Sequence, residues 1–477
     1  MMTSVGVDYS ILAPELALAA AGLLVLLLDL ILRNASRWLL YTTGIIGCIA
    51  AFAFMLPLYG KTQSTLNGAF ANDKFSWGFD TLLVLTLAVV FLLSSLKRAE
   101  DGGNPASYAS LLILCTIGGT VMAGATNLIG IFLGIELLSL SLYVLAGTGF
   151  PRESSQEAAL KYVMLGSLAS GFLIYGSALL YGAGGSIALS ALTKAAAVSS
   201  PLFIAGFALF VVGLAFKLAL APFHLWTPDV YEGSPLAVTA FMAVAVKAAS
   251  FAVLARVAYT VFGHASDALI PLWALAILSM LVGNLGAIRQ RNLKRLLAFS
   301  SIAQAGYVVV ALAGVGASGL SSLLFYLFAY AFMNLGAFAV IGLVGDGSEA
   351  YADIDAYRGL FFRRPWVAAA MALFLMSLAG IPGTAGFYGK VLLLVQGFTA
   401  GPWGVALGIS LIAGTLVSFY VYFKVIWQMF VPVEGEAPQI ADGTAASWLA
   451  VGLGAAGVIV LGVLPQMFFT YVVAAPP

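Results

Sequence analysis

Four charged residues lie deep inside long apolar stretches of this 477-residue sequence. They are one glutamate, Glu136, and three lysines, Lys217, Lys247 and Lys390. A charge at the centre of a bilayer costs about 2.5–3.5 kcal/mol, so such a residue usually faces a partner or water and marks an ion pathway. An amine surrounded by apolar groups also releases its proton more readily than one in water. We therefore predict that these four residues carry protons.

The predicted path depends on amines that lack a counter-charge. One glutamate cannot neutralise three lysines, so proton exchange at the unpaired amines is expected. We hypothesise that movement of Glu136 towards or away from Lys217 tunes this exchange. The alternative is a static buried ion pair between these two residues that only holds helices together.

Two other residues are candidates for a secondary part of the path. His224 follows Pro222, and its imidazole could relay protons towards water; a hydrogen-bonded packing role is the alternative. Lys161 stands one turn after Glu157, where an i,i+4 ion pair is a sufficient explanation. Two more cations, Lys424 and Arg256, lie nearer helix ends and are expected to extend to the membrane interface.

The elements that must position these residues are membrane-spanning helices. Hydrophobic residues make up 62% of the chain and charged residues 9%, whereas a soluble domain has roughly 25% charged residues. The long, continuous apolar stretches can each cross a hydrocarbon core of about 30 Å. They exclude an outer-membrane β-barrel, whose strands would appear as short segments of alternating hydrophobicity. The first stretch is too long for a signal peptide and is expected to remain as a helix. The sequence predicts an all-α polytopic membrane protein with about fourteen transmembrane helices, at residues 11–32, 38–58, 75–96, 106–124, 127–148, 158–182, 202–221, 236–262, 268–288, 293–314, 319–343, 366–399, 403–430 and 446–472.

Basic residues at the predicted helix ends fall mainly on one side of the membrane. Cytoplasmic loops carry an excess of lysine and arginine, so we predict that both termini are periplasmic, in a bacterial inner membrane rather than a mitochondrial-type one. One set of alternate loops and flanks holds Arg33, Arg37, Lys97, Arg98, Arg152, Arg289, Arg291, Lys294, Arg295, Arg358, Arg363 and Arg364, and the other holds Lys61, Lys74 and Lys194.

The apolar blocks that begin at 202 and at 366 are interrupted by Pro222 and Pro382, and each is expected to be a broken helix. The sequences around the two prolines are similar, and five helices belong to each unit. Inverted repeats with paired broken helices are typical of transporters whose ion path lies at the midplane. We predict a three-helix segment at 1–105, two inverted five-helix repeats at 106–262 and 268–430, and a last helix at 446–472.

The supply of metal ligands limits the chemistry. The chain has two cysteines and two histidines, whereas an iron–sulfur cluster needs about four thiolates and membrane haems usually need histidine pairs. We therefore predict neither a cofactor nor a metal site on this chain. The net charge of +1 does not indicate a nucleic-acid partner.

Two segments resemble the signatures of a known family. Residues 216–233 (FKLALAPFHLWTPDVYEG) and 292–307 (NLKRLLAFSSIAQAGY) are similar to those of the antiporter-like subunits of respiratory complex I. Within that family, Pro382 and the Gly-Phe-Tyr-Gly-Lys run that ends at Lys390 resemble the N-type subunit of NADH–quinone oxidoreductase, because the M-type subunit typically has glutamate at the position of Lys390. The sequence also lacks the long lateral helix of the L-type subunit after its last apolar stretch.

The resemblance implies a proton-translocating subunit of a membrane arm. It implies that Glu136 and Lys217 form a coupling pair, that Lys247 continues a hydrophilic axis and that Lys390 ends it. Electron transfer would occur on partner subunits, which carry the flavin and the iron–sulfur clusters. The implied neighbours in the bilayer are antiporter-like subunit M and small subunits, including K.

Other functions stay open at this point. A cation/proton antiporter, or a subunit of one, shares both signatures, and Lys390 in its motif together with the chain length argues against it. A purely structural scaffold predicts that lysine substitutions leave proton pumping intact. Quinone binding by aromatic residues such as Trp226 or Tyr231 is a further alternative, although such residues serve packing equally well.

Overall fold

The computed structural model describes residues 6–33, 35–95, 103–149, 151–263, 269–314, 316–345, 352–432 and 443–472. Two of the basic residues used to predict the orientation, Lys97 and Arg98, lie outside these ranges. The helices α1 to α20 are, in chain order, Ala13–Leu32, Arg37–Met55, Lys74–Ser94, Pro105–Gly124, Leu128–Ala146, Glu153–Gly184, Leu189–Val198, Pro201–Leu218, Trp226–Gly233, Leu236–Phe241, Lys247–Val257, Ile270–Ile288, Leu293–Val309, Ala317–Gly345, Leu360–Arg363, Pro365–Ala379, Ala385–Thr399, Gly401–Phe430, Ala445–Val463 and Pro465–Tyr471.

Thirteen helical stretches in the described residues are long and apolar enough to cross a membrane. In three of them, Arg37–Leu58, Leu236–Phe262 and Leu293–Ala313, π-helical or 3₁₀ turns continue the α-helix. The remaining predicted span, 366–399, consists of the two shorter helices α16 and α17. The predicted all-α polytopic fold is therefore confirmed, whereas the inverted relation of the repeats and their boundaries stay predictions.

Three local features were not predicted. Residues 189–198 form the short helix α7, and two three-residue strands, Gln63–Thr65 and Phe70–Asn72, pair antiparallel between α2 and α3. The last predicted span is divided into α19 and α20, because Pro465 has no amide hydrogen with which to continue the helix.

Polar side chains cap the helices where they begin. Asp73 accepts a hydrogen bond from the amide of Ser76, and the Ser76 hydroxyl accepts one from the amide of Asp73, which forms a capping box on α3. Asn104, Asn127 and Asn292 accept amide hydrogens at the starts of α4, α5 and α13. These caps satisfy amides that have no partner within the helix.

The spans differ in how much of their surface lies inside the bundle. Three stretches are almost completely buried: Leu236–Phe262, Leu293–Ala313 and α14. Outer helices such as α1 instead expose leucines, among them Leu23 and Leu30, as expected for a surface that faces lipid. The three central stretches therefore form the inner core of the bundle.

A buried ion pair joins α11 to α3. The Arg256 guanidinium donates to both carboxylate oxygens of Asp73, at 3.0 and 3.3 Å, and to the carbonyl of Ala123 at 2.8 and 3.0 Å. Its side chain is 4% exposed. The Arg256 guanidinium therefore reaches the ends of α3 and α4, as expected for a cation near a helix end, but there it is buried and neutralised by Asp73.

We expect Arg256→Met to lower the free energy of unfolding by about 3–5 kcal/mol, because the substitution leaves Asp73 as an uncompensated carboxylate in a largely buried place. Thermal unfolding of the purified protein in detergent would measure this. Lys194→Met, which removes an exposed cation of α7, serves as the control and should leave the transition in place. Equal unfolding temperatures for Arg256→Met and Lys194→Met would contradict a stabilising role of the ion pair between Arg256 and Asp73.

Candidate proton pathway

The first helix break positions Lys217. Helix α8 ends one residue after Lys217, and α9 begins at Trp226 on the other side of the break. Side chains pair the backbone groups that the break releases: the indole of Trp226 donates to the carbonyl of Phe216 at 2.9 Å, and Ser279 accepts from the amide of Ala221 at 2.8 Å. Irregular backbone at membrane depth requires such partners. The predicted break is confirmed.

Hydroxyl groups surround the ammonium of Lys217. Its Nζ donates to Ser139 Oγ at 2.7 Å and to Tyr143 OH at 3.4 Å, and both residues belong to α5. The Tyr143 hydroxyl fits at this position because residue 166 is glycine; a Cβ there would collide with it. Lys217 is 2% exposed, so its charge is solvated by hydroxyls inside the bundle and is not exposed to lipid.

Glu136 lies on the same helix as these hydroxyls but does not form an ion pair with Lys217. Its carboxylate accepts a hydrogen bond of 2.5 Å from Ser170 of α6. Glu136 is half-buried, and its neighbours on the outer side, Leu133 and Leu140, are each 58% exposed. The expectation of a buried glutamate is therefore only partly correct, because the carboxylate approaches the outer surface of the chain near the middle of α5.

Lys247 is the first residue of α11 and follows a π-helical turn, Met242–Val246. Such turns are frequent at functional sites. The side chain is buried, and its Nζ donates to the backbone carbonyl of Ser301 on α13. The second predicted lysine is thus at the centre of the bundle and bonded to a neutral acceptor.

The second helix break positions Lys390. Its Nζ donates to the carbonyls of Leu378 and Ala379, the last residues of α16, at 2.8 and 3.0 Å. The carboxyl end of a helix carries partial negative charge and favours a cation there. The break predicted at this span is confirmed, and it supplies the acceptors for the ammonium.

The two secondary candidates have contacts of their own. His224 is half-buried at the first break, next to the exposed Leu225, and its Nδ1 has no hydrogen-bond partner among the described residues. Lys161 pairs with Glu157 at 2.6 Å, as the spacing predicted, and also with Asp229 at 2.7 Å. Neither candidate is hydrogen-bonded to Lys217.

An ionic cluster that sequence reasoning missed surrounds Lys161. Asp229 of α9 binds Lys161 of α6 and Arg295 of α13, each at 2.7 Å, and Arg295 also binds Glu232 at 2.9 Å. The cluster lines a polar cavity of about 410 Å³. Partial burial opposes ionisation of Asp229, but the hydrogen bonds from the two cations outweigh it and lower the pKa of that carboxyl. Asp229 and Arg295 each lie in one of the two signature segments, which was the available signal.

A second acid inside a helix was also missed. Sequence reasoning took Glu136 as the one acid at a helix centre, yet Asp80 in the first half of α3 is 8% exposed, and its Oδ1 has no partner within the described ranges. Across those ranges, no group of three or more histidine, cysteine, aspartate or glutamate side chains could hold a metal ion.

Fold and site together define a multi-pass membrane protein that has buried lysines at two helix breaks and at a π-helical turn, each hydrogen-bonded to hydroxyls or carbonyls. The profile of a family described as NADH:quinone oxidoreductase/Mrp antiporter, transmembrane, matches residues 125–416. Subunit N 1 of NADH-quinone oxidoreductase from Symbiobacterium thermophilum is 41% identical, over 97% of this chain and 97% of its own length. The chain belongs to this family of membrane subunits, among the N-type subunits of NADH–quinone oxidoreductase.

Solved structures show the same architecture. A chain of respiratory complex I from Thermus thermophilus with bound aureothin is 35% identical, with a TM-score of 0.82 over 97% of this chain and 100% of that chain. A chain of the Mrp complex from Dietzia sp. has a TM-score of 0.80 over 96% of both chains. At 23% identity, the second likeness concerns the fold alone.

We expect Asp229→Asn to lower the free energy of unfolding by about 1 kcal/mol at neutral pH, because the ion pairs it breaks are partly exposed. A carboxyl with a lowered pKa contributes stability above its ordinary pKa, and this contribution is lost as the pH falls through the lowered value. The difference in free energy of unfolding between Asp229→Asn and the unmodified protein should therefore disappear in acid. Thermal unfolding in detergent over a pH series would measure it.

Glu157→Gln is the matched control for this prediction, because it removes an exposed carboxylate that pairs with Lys161 alone. It should have a smaller effect than Asp229→Asn at every pH. A difference for Asp229→Asn that persists unchanged into acid would show that its carboxylate charge is not what stabilises the cluster.

Proposed function

We propose that this chain is a proton-translocating membrane-arm subunit of an NADH–quinone oxidoreductase, in which Glu136, Lys217, Lys247 and Lys390 carry protons. The observation that carries this proposal is the environment of the three lysines. All are buried, and their ammonium groups donate to hydroxyls or backbone carbonyls. No carboxylate in the described part of the chain forms an ion pair with any of them.

Neutral acceptors solvate an ammonium without cancelling its charge. The cost of keeping a charge in a medium of low dielectric constant therefore remains, and the neutral amine becomes an accessible state. A group that can hold or release a proton at little cost can pass it along a path. A carboxylate ion pair at each lysine would instead have fixed the proton in place.

Glu136 is placed to influence Lys217 through its charge. Ser139 and Tyr143, which bind Lys217, follow Glu136 by one and two turns on the same helix. A charge at this range in a poorly screened interior acts more strongly than it does in water. We infer that movement or neutralisation of Glu136 changes the proton occupancy of Lys217.

The redox chemistry belongs, in this proposal, to partner subunits. The similar proteins are named as subunits of NADH–quinone oxidoreductase, and this chain offers two cysteines and two histidines as soft or nitrogen ligands. We assign the flavin and the iron–sulfur clusters to the partners, and no redox step to this chain. Its part in the enzyme is to move protons.

The outer side of α5 supports a neighbour in the membrane arm. A carboxylate at this depth is costly next to lipid, so we infer that another subunit covers Glu136, either a small subunit such as K or the antiporter-like subunit M. The arginines Arg152 and Arg295 line one cavity at one end of the bundle. We assign that end to the cytoplasm of a bacterium, with both termini periplasmic.

A subunit of a cation/proton antiporter is the alternative, because the family description and the fold both include the Mrp antiporter. The full-length similarity to subunit N favours the oxidoreductase. Co-purification decides between the two: capture of the tagged chain from its native membrane should bring flavin- and iron–sulfur-containing subunits. Recovery of antiporter subunits alone would overturn the assignment.

Each of Lys217→Ala, Lys247→Ala and Lys390→Ala is expected to lower the number of protons translocated per NADH oxidised, because each removes a protonatable site from the path. The assembled complex in liposomes, with a pH-sensitive dye inside, would report the ratio. Lys424→Ala is the control, since Lys424 donates to the carbonyls of Ile288 and Gln290 at the end of α12. An unchanged ratio in all three path variants would favour the scaffold function.

Glu136→Gln is expected to reduce the rate of NADH oxidation coupled to proton translocation, because it removes the charge that acts on Lys217 while keeping the shape of the side chain. Ser170→Ala removes only the hydrogen bond to Glu136 and should have a smaller effect. The measurement uses the same liposomes, with and without an uncoupler. Equal rates for Glu136→Gln and the unmodified complex would show that this charge has no role.

A further inference from the structure

Two acidic side chains inside the first helices have no place in the proposed path. Asp80 of α3 is buried, and Glu15 lies in the first turn of α1. One oxygen of each carboxyl group, Asp80 Oδ1 and Glu15 Oε2, is fully buried and has no hydrogen-bond partner among the described residues. An ionised carboxylate without a donor is costly in apolar surroundings. These two groups therefore require a ligand or a proton.

The charge around the two carboxyls is unbalanced. Asp80 lies within electrostatic range of Glu15, and it is also within range of Asp73 and Arg256. The Arg256 guanidinium already binds both carboxylate oxygens of Asp73. Full ionisation would therefore leave Glu15 and Asp80 as two negative charges without a cation of their own. Like charges in proximity oppose each other's ionisation.

The described residues of the helices packed against α1 and α3 bring no further cation to the two carboxyls. Helices α2, α4, α10, α11, α14 and α19 make these contacts. Helices α4, α10, α14 and α19 contain no charged residue, and Arg37 of α2 lies at the opposite end of the bundle. On α11, Lys247 precedes Arg256 by more than two turns, and Lys74, the first residue of α3, is exposed. The phenols and thiols on these helices are neutral at neutral pH; they belong to Tyr41, Cys48, Tyr108, Cys115, Tyr326 and Tyr330.

A hydroxyl group of α4 indicates that Glu15 carries a proton. The carboxyl group of Glu15 lies within hydrogen-bonding range of the Thr120 hydroxyl. That hydroxyl has one proton, and it donates this proton to the carbonyl of Ile117 at 3.0 Å. It therefore presents a lone pair to Glu15. A lone pair accepts a hydrogen bond from a protonated carboxyl but repels a carboxylate.

We propose that Glu15 and Asp80 form a proton-binding site that holds at least one proton at neutral pH, and that this proton secures the packing of α1 on α4. The site is separate from the lysines, so the inference does not depend on the proposed function. Glu15 is partly exposed at the start of α1, so the proton comes from the water at that end of the bundle. Binding forms one O–H bond on a carboxylate as an O–H bond of hydronium breaks and leaves water.

A proton suits this site better than a metal ion does. Calcium takes about six to eight oxygen ligands, and magnesium requires near-octahedral coordination. Across the described ranges, no group of three or more acidic, histidine or cysteine side chains could hold a metal ion. A proton needs one carboxyl oxygen and one lone pair, which Glu15 and Thr120 supply.

The bound proton makes the stability of the chain depend on pH. In the unfolded chain both carboxyls are in water and ionise at about pH 4, whereas the folded chain retains a proton to higher pH. The stability that the site contributes is therefore complete in acid and is lost as the pH rises. For each pH unit over which only the folded chain holds the proton, the unfolding equilibrium constant should increase about tenfold relative to a variant without the site.

The test compares the full chain in detergent with its isosteric double variant, Glu15→Gln with Asp80→Asn. Infrared spectra at neutral pH should show the C=O stretching band of a protonated carboxyl in the unmodified chain and a weaker band in the double variant. Unfolding equilibria over a pH series should show the expected dependence in the unmodified chain and a weaker one in the double variant. Glu153→Gln is the matched control, because it removes an exposed acid from the first turn of α6, and it should change neither result.

Several results would overturn the inference. An unchanged infrared band in the double variant would show that both carboxyls are ionised. An equal pH dependence of unfolding in the two proteins would show that the proton does not secure α1. Stabilisation of the unmodified chain by sodium, absent in the double variant, would identify a cation site instead.

If the double variant does not fold, Glu15→Gln and Asp80→Asn are compared separately by the same two measurements. Misfolding of both single variants would also contradict the inference, because at least one of them replaces a neutral acid with a neutral amide of the same shape.

Discussion

The structure depends on one constraint: a positive charge inside an apolar bundle must be solvated by the protein itself. Lys217, Lys247 and Lys390 meet this constraint with hydroxyls and backbone carbonyls. Neutral acceptors stabilise an ammonium less than a carboxylate does, which is why we propose that its proton is exchangeable. At Lys390 the irregular backbone of a helix break supplies these acceptors, whereas Lys217 uses hydroxyls of α5 and Lys247 uses a carbonyl of α13.

The second helix break contributes something that a straight helix would not have. A continuous α-helix uses its carbonyls internally, so a free acceptor in mid-membrane requires a break or a looser turn. The second break exposes the carbonyls of Leu378 and Ala379 to Lys390. The first break is held by Trp226 and by Ser279. The amide of Ala221 at the first break donates to Ser279 of α12. A residue of the second predicted repeat therefore stabilises the helix break in the first.

Charges in the outer parts of the bundle follow the opposite rule. Arg256 with Asp73 and Arg295 with Asp229 are ion pairs, each with a carboxylate in direct contact. These pairs join α3 to α11 and α9 to α13, so they hold elements in place while their protons stay fixed. Paired charges near the ends and lysines on neutral acceptors in the middle divide the chain into a frame held by ion pairs and the part in which we propose that protons move.

The sequence by itself determined the membrane class, the two helix breaks and the three lysines, because apolar length and an isolated charge in oil are local properties. It could not place Glu136 at the outer surface or bring Arg256 to Asp73, since both depend on which face of one helix meets another. Asp229 and Arg295 are 66 positions apart, and Gln304 and Tyr422 are 118 apart. Only tertiary packing decides contacts across such separations, because periodicity along one helix carries no information about the side chains of its neighbours.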